Sequence, residues 1–437
     1  MPVWRATILF GSLPTMTLST VDLGNREFWA APWEDRFAAF ATLRAQAGLP
    51  WFAEPEFPGF ERGPGFRAVT RHADLEYVSK HPELFCSGRG AVSILDLPAE
   101  AHEFFGSLIS MDAPRHTKIR RIAAQAFTPR RTQGLLDDVR RVARSVVASA
   151  REKALAGDGS FDLVADVSAP MPLLIICEMM GIPESRRDEV FAHSNVILAG
   201  EDPEYVTSEN PLGDYLAAGA GLSGLMTELA AAREAEPTDD VTSALVHGTV
   251  DGERLTHQEI ASFFILLCVA GNETTRNGIT HGVWGMHRQP EQWELWSSDV
   301  DGVTPTAVDE VVRWASPINW MRRTAVSDTS VGDVPVEAGE KLLLVYGSAN
   351  RDEAVFADPD RLDLRRSPNP HQGFGAHGPH FCLGAHLARR EIAVLFRELF
   401  AGMPDLRVIG EPDRLRSIFV NGIKHLPVAL AGTDAAR

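Results

Sequence analysis

The sequence predicts a mainly α-helical protein with a minor β part. Apolar residues recur at helical spacing through most of the 437 residues, only two later stretches alternate like strands, and one run of about thirty residues reads as a single long helix. With 44% hydrophobic and 23% charged residues, the chain has a globular composition and enough apolar material for a large core.

Taken in order, residues 25–47 read as helix, with Phe28, Trp29, Phe37, Phe40 and Leu43 near one stripe. Residues 55–65 form a Pro/Gly-rich turn, 66–70 a short strand, 72–81 a helix, and 86–106 a loop with apolar islands. Helices follow near 115–128, 131–155, 169–180, 185–199 and 213–235, with an acidic loop at 201–211. Next comes the long helix. Thr256 and Glu259 make a capping box, helical character runs to about His287, and Pro290 stops it. At 1.5 Å per residue it would span roughly 45 Å, enough to cross a domain. Strands are expected at 324–334 and 339–345. After Cys382, a last clear helix places Leu387, Ile392, Leu395, Phe396 and Leu399 on one side.

A formal net charge of −17 argues against a nucleic-acid binder, which needs a basic surface. Cys86, Cys177, Cys268 and Cys382 lie far apart with no CxxC pair, a usage that suits a reducing compartment. Apolar stretches such as 263–270 and 172–180 are too short to span a bilayer. The first fifteen residues lack a convincing signal-peptide pattern, so a cytoplasmic location is expected. Residues 1–18 read as a disordered extension, with Met16 as a possible true start, and 19–437 as one domain.

Two places break local rules. The middle of the long helix reads Ala270-Gly271-Asn272-Glu273-Thr274-Thr275, poor helix formers with a charge that ought to be buried. The second is Gly373 to Glu391, where a Gly-rich loop with Pro379 runs into Cys382 and then a helix. A cysteine there lies near the positive end of the helix dipole, which favours thiolate. Three plainer readings compete. The cysteine could be a small buried hydrophobe. His380-x-Cys382-x3-His386 could be half a zinc site, but no second Cys/His pair follows at suitable spacing. A phosphate loop would need GxxxxGK[ST] or GxGxxG, and neither is present.

Phe374, Gly378, His380, Cys382 and Gly384 resemble the haem-binding loop of the cytochrome P450 superfamily. Phe374 lies one residue further from the cysteine than is common, as in a bacterial subset that includes steroid and branched-lipid hydroxylases. His377 departs from the usual small residue, and the resemblance offers no reason for it. The resemblance implies the superfamily's fold, a triangular helical domain with its long central helix over haem. It implies haem b, iron protoporphyrin IX, with Cys382 as axial thiolate and dioxygen as co-substrate. Gly375, Gly378 and Gly384 would permit the tight path and close approach to the cofactor. His116 and Arg120, four apart on one helix face, would grip the haem carboxylates together with Arg323 and His380. Glu310 and Arg313, three apart on a helix, would join Arg361 of Pro359-Asp360-Arg361-Leu362 in a structural lock. Alone, such a helical pair would contribute only a few tenths of a kcal/mol. Ala270 and Gly271 would leave room for dioxygen, Thr274 would hydrogen-bond it and Glu273 would relay protons. A Thr bonding the carbonyl four residues back is the ordinary alternative for Thr274, but it leaves a buried Glu beside it unexplained.

The same resemblance places Phe104, Phe105, Leu108, Ile197, Phe263, Leu267, Ile318, Trp320, Met321, Phe419 and Val420 at substrate-lining positions. They are apolar, so a hydrophobic small molecule is expected: a sterol, a terpenoid or a methyl-branched fatty chain. The tail from Leu415 to His425 points to the same group. The chain carries no flavin or nicotinamide motif and no iron–sulfur cysteine set, so electrons are expected from a ferredoxin and its NAD(P)H-dependent reductase. Docking is expected at Lys118, Arg120, Arg121, Arg130, Arg131, Arg389 and Arg390 on the proximal face. A peroxygenase, typically carrying Arg-Pro in place of the acid–Thr pair, and a haem sensor without turnover are the competing functions.

Overall fold

The computed structural model describes residues 21–57, 60–126, 129–198, 202–205 and 209–430. Its elements in order are α1 Arg26–Ala30, α2 Trp33–Ala45, β1 Trp51–Phe52, β2 Phe66–Val69, α3 His72–Lys80, β3 Phe85–Cys86, α4 Ala99–Gly106, α5 Arg115–Ala126, α6 Pro129–Ala156, β4 Ser160–Asp162, α7 Pro170–Met180, α8 Arg187–Leu198, α9 Pro211–Ala235 and α10 Val241–His247. There follow α11 His257–Arg288, α12 Pro290–Ser298, α13 Val300–Ala315, β5 Trp320–Ala325, β6 Thr329–Val331, β7 Val334–Val336, β8 Lys341–Val345, α14 Tyr346–Ala349, α15 Ala385–Gly402, β9 Leu406–Val408, β10 Asp413–Arg414, β11 Ile423–His425 and β12 Pro427–Leu430. The mainly α reading holds. The expected extension at 1–18, and the last two residues of the helix expected at 115–128, lie outside the described residues.

The axis of the molecule is α11. Thr256 accepts from the Glu259 amide at 3.2 Å while the Glu259 carboxylate accepts from the Thr256 amide at 2.9 Å. This reciprocal box starts the helix. Its 32 residues are packed by α4, α7, α8, α9, α12, α13 and α15. Ile279, Val283 and Met286 belong to a core shared with α6, α13 and α15, whereas Ile260, Phe264, Ile265 and Cys268 belong to a second core with α7 and α9. The two halves of α11 therefore anchor different helix layers.

The β part sits to one side. A five-stranded sheet has the order β1-β2-β8-β5-β3, with β2 parallel to β8 (Phe66 opposite Lys341) and β5 antiparallel to β8 (Arg323 opposite Leu342). A second sheet has the order β4-β12-β9.

Several expected boundaries move. The helix at 25–47 breaks at Ala31 and Pro32, because proline removes a donor and fixes the backbone. Pro290 ends α11 but also occupies the first turn of α12, where its missing N–H costs nothing. The strand expected at 324–334 is β5 plus the hairpin β6–β7, which turns at Gly332 (φ +56°) with Val331 opposite Val334. Within the loop expected at 86–106 lie the final residue of β3 and the helix α4.

Candidate cofactor and oxygen-chemistry site

The loop before α15 is held by backbone contacts. The Cys382 amide donates to the Phe374 carbonyl at 2.9 Å, closing the turn that carries the cysteine. Gly375 has φ +82°, and a β-carbon on Gly378 would lie 2.2 Å from the Ser79 carbonyl oxygen, so neither position tolerates a side chain without movement. Arg389 lies 4.4 Å over the Phe374 ring and pairs with Asp309 at 2.7 Å, fixing α15 against α13.

Cys382 keeps accessible surface although protein surrounds its thiol. Burial is the strongest influence and pushes the thiol above its ordinary value; the Gly384 and Ala385 amides and the charges of Arg120 and Arg389 act in the opposite direction. The helix start that was expected to favour thiolate is thus present but outweighed. A coordinating metal deprotonates such a thiol outright.

Facing inward, α11 shows an accessible stretch at mid-length. Ala270 is exposed, and Leu266, Leu267, Val269, Gly271 and Thr274 are half-buried, while the helix from Thr275 to Met286 is buried. Thr274 donates to the Ala270 carbonyl at 2.6 Å, the ordinary helical bond. Glu273 is buried beside Arg276, its ion-pair partner, and Asn277 donates to its Oε1 at 2.8 Å. Its other oxygen, Oε2, has no partner.

The four expected carboxylate-binding residues come together. The rings of His116 and His380 lie 4.2 Å apart, and the unpartnered Nε2 of His116 and Nδ1 of His380 are buried. Burial, then the charges of Arg323, His116 and Arg120, push His380 down to about 2. Burial and the Arg120 charge lower His116 as well. Arg120 donates to the Phe381 carbonyl at 2.5 Å and Arg323 to the Arg322 carbonyl at 2.8 Å. Neither forms an ion pair among the described residues. Asp112, whose charge acts on His116 and Arg323, already accepts from the Ser87 and Gly88 amides at 2.8 Å. Two guanidiniums without an ion pair and two orphaned ring nitrogens are costly without an anion. They fit a dianionic cofactor beside the cysteine sulfur.

Glu310 and Arg313 are wholly buried, with Arg313 Nε and Nη2 donating to the two carboxylate oxygens at 2.7 and 2.8 Å. The third residue of the lock is corrected here. Arg366, not Arg361, brings its guanidinium to Glu310, at 3.1 Å. The side chain of Arg361 is exposed and only its carbonyl takes part, accepting from Arg313 at 3.0 Å.

The expected substrate positions divide into two groups. Phe104, Phe105, Leu267, Ile318, Met321 and Phe419 are half-buried, whereas Leu108, Ile197, Phe263, Trp320 and Val420 are buried. Trp320 is fixed by a bond from its indole to the Ile418 carbonyl at 2.8 Å.

Sequence reasoning passed over Glu391 as the end of the Gly373 to Glu391 stretch. It is buried on α15 with the Thr275 hydroxyl as partner, and burial pushes its carboxyl up to about 8. A charged residue between Arg390 and Ile392 on the apolar side of a helix was the available signal. Because the folded value lies above the unfolded one, the native state holds a proton that the unfolded chain releases, and stability falls as pH rises from about 4.5 to about 8. Glu391→Gln keeps the shape of the protonated acid. It should match the parent near pH 5 and exceed its stability by a few kcal/mol above pH 8, since each tenfold difference in proton affinity between the folded and unfolded chains is worth about 1.4 kcal/mol. The difference between the two melting curves across this range checks it.

Comparison with known proteins places this geometry. The family model "Cytochrome P450" matches residues 223–401. A methyl-branched lipid omega-hydroxylase of Mycobacterium tuberculosis is 48% identical over 95% of this chain and 96% of its own. A steroid C26-monooxygenase of Mycolicibacterium smegmatis is 40% identical over 91% of each chain. The solved cytochrome P450 of Mycobacterium marinum in complex with pseudoionone superposes with a TM-score of 0.87 at 40% identity, covering 94% of this chain and 98% of that one. The chain belongs to the cytochrome P450 family. It is a cytochrome P450 monooxygenase, and the family implies a haem-iron cofactor. Among the described residues, no helix is long and apolar enough to cross a membrane.

Proposed function

We propose that this enzyme binds haem b through Cys382 and hydroxylates a hydrophobic lipid, a methyl-branched chain or a steroid, with dioxygen and electrons from a ferredoxin and its reductase. The observation that carries the reading is the gathering of Arg120, Arg323, His116 and His380, with no ion pair to either arginine among the described residues, beside the loop of Cys382. Bound there, haem supplies reductive activation of dioxygen and insertion of one oxygen atom into a C–H bond.

The protein's own groups bind, orient and deliver protons. Cys382 Sγ would hold the iron, and the four cationic or ring groups would take the two carboxylates. Ala270 and Gly271 keep the inward face of α11 low, with Thr274 Oγ1 turned to that face and able to leave the Ala270 carbonyl for a stronger acceptor. Glu273 Oε2, buried and unpartnered, is the oxygen on which a proton in transit is held. The half-buried Phe104, Phe105, Leu267, Ile318, Met321 and Phe419 supply apolar contact and exclude water.

The lipid class follows from that lining and from the names of the two relatives, one acting on methyl-branched lipids and one on steroids. On the proximal side, Arg121 and Arg390 are exposed and form no ion pair among the described residues, whereas Lys118 pairs with Glu253 and Arg389 with Asp309. The side chains of Arg130 and Arg131 lie outside the described residues. Arg121 and Arg390 therefore offer the charge that steers an acidic ferredoxin.

The test supplies labelled dioxygen, ferredoxin, reductase and NAD(P)H with a branched fatty acid or a sterol. One labelled oxygen atom in the product, and a reduction rate that falls as salt rises, are expected. Turnover driven by peroxide alone would indicate a peroxygenase. Spectral shifts without any oxygenated product would indicate a sensor. A rate indifferent to salt would remove the docking face.

A further inference from the structure

The short helix α4 has little of its own to hold it. Pro98 provides no side-chain cap at its start, and Ser107 at its end is buried with φ +44°. Its place is set from outside. Ser262 of α11 donates to the Glu103 and Phe104 carbonyls at 2.5 and 3.0 Å, and Arg115 pairs with Glu103 at 2.5 Å. The backbone of α4 is thereby pinned to α11.

Its aromatic side chains lie back on α9. The Phe104 and Phe105 rings meet edge to face at 4.9 Å, and Phe105 lies 4.4 Å from the Tyr215 ring. One turn beyond Tyr215 on α9 is Gly219, buried, where a β-carbon would stand 2.8 Å from Cε1 of Phe105 and 3.0 Å from Cε1 of Phe104. Glycine inside a helix costs about 1 kcal/mol relative to alanine, so a packing role gives this position a reason to be glycine. The missing methyl group is the notch into which both rings settle.

We propose that Gly219 is a specificity-determining residue. By letting Phe104 and Phe105 recede onto α9, it leaves room beside these rings for a lipid broader than a straight alkyl chain, branched or polycyclic. This rests on the lipid-hydroxylase reading above. A methyl group at 219 meets the rings first, and with the α4 backbone held by Ser262 it is the rings that must give way.

The experiment titrates haem-loaded protein with a methyl-branched fatty acid, a sterol and a linear fatty acid of matched length, reading the ligand-induced Soret shift. Gly219→Ala should weaken binding of the branched acid or sterol by at least ~10-fold, the discrimination one misplaced methyl group produces in an apolar pocket. Linear-chain binding should stay within about two-fold, a difference small on that same scale. Adding Phe105→Leu to Gly219→Ala should restore the broad ligand, a rescue that general loosening of the fold would not give. Equal losses for all ligands, no loss for any, or failure of the double variant to restore binding overturns the role of Gly219 alone. Absence of any shift in the parent protein with every lipid overturns the lipid reading and this inference with it. Should Gly219→Ala not accumulate, Phe105→Trp, which crowds the same notch from α4, must reproduce the selective loss or the proposal falls.

Discussion

Glu310→Ala is expected to destabilise the protein by about 3–5 kcal/mol, most of an ordinary domain's stability, and to yield little folded protein. An isolated glutamate three residues before an arginine would be worth a few tenths of a kcal/mol. Burial changes the scale. Glu310 accepts from Arg313 at 2.7 and 2.8 Å, from Arg366 at 3.1 and 3.2 Å, from Asn369 at 3.2 Å and from the Asp363 amide at 2.9 Å. Removing it leaves the wholly buried Arg313 and the largely buried Arg366 with no carboxylate, and an amide without its acceptor. Arg313 also ties the Asn350, Pro359 and Arg361 carbonyls together, so the loop between α14 and α15 loses its anchor to α13. Arg361→Ala is the internal control. Its exposed side chain brings no guanidinium to the cluster, so the change should stay near ±0.5 kcal/mol, as surface substitutions usually do. Arg366→Ala should behave like the buried partner it is. Urea unfolding of the three variants ranks them, and an Arg361→Ala loss as large as that of Arg366→Ala would sink the assignment.

That pair of arginines shows where the sequence was legible. Glu310 and Arg313 are three apart on one helix, so their pairing is local and readable. The third partner reaches back 56 residues from an irregular segment, where spacing carries no geometric rule, and Arg361 was the wrong choice. The same contrast holds for whole elements. The capping box of α11 and the apolar stripe of α15 are local patterns, and both helices formed where expected. By contrast, α4 has no distinctive composition and is held by Ser262 from 158 residues away, so it read as loop. Strands of two or three residues such as β1, β3 and β10 are too short to show alternation at all. For β6–β7 the signal was present in Gly332-Asp333 and was missed. Among site residues, the loop of Cys382 was legible because its glycines and cysteine are contiguous. Glu391 was not, because only packing against α11 turns an ordinary helical glutamate into a buried acid.

Cys382→Ala should remove the red-shifted absorption of the reduced, carbon-monoxide-bound protein and lower oxygenation to the level of the uncatalysed control. The other thiols cannot take its place. Cys177 and Cys268 are wholly buried within α7 and α11, and burial pushes Cys177 up to about 12 and Cys268 well above its ordinary value, the condition of an inert thiol. Cys86 lies on β3, where burial and the Asp112 charge also push it up. Cys382 alone combines accessible surface, the Gly384 and Ala385 amides, and two arginines acting to lower it. The fold should tolerate the change, since the loop is closed by the residue 382 amide on the Phe374 carbonyl, which alanine retains. Cofactor retention through Arg120, Arg323, His116 and His380 is therefore expected to persist in part, with altered colour and without the thiolate's push on the iron. Cys382→His sharpens the test, because imidazole can ligate iron but donates less electron density. Its spectrum should lack the red shift as well. A variant of either kind that kept both the shifted band and the oxygenation would place the axial ligand elsewhere.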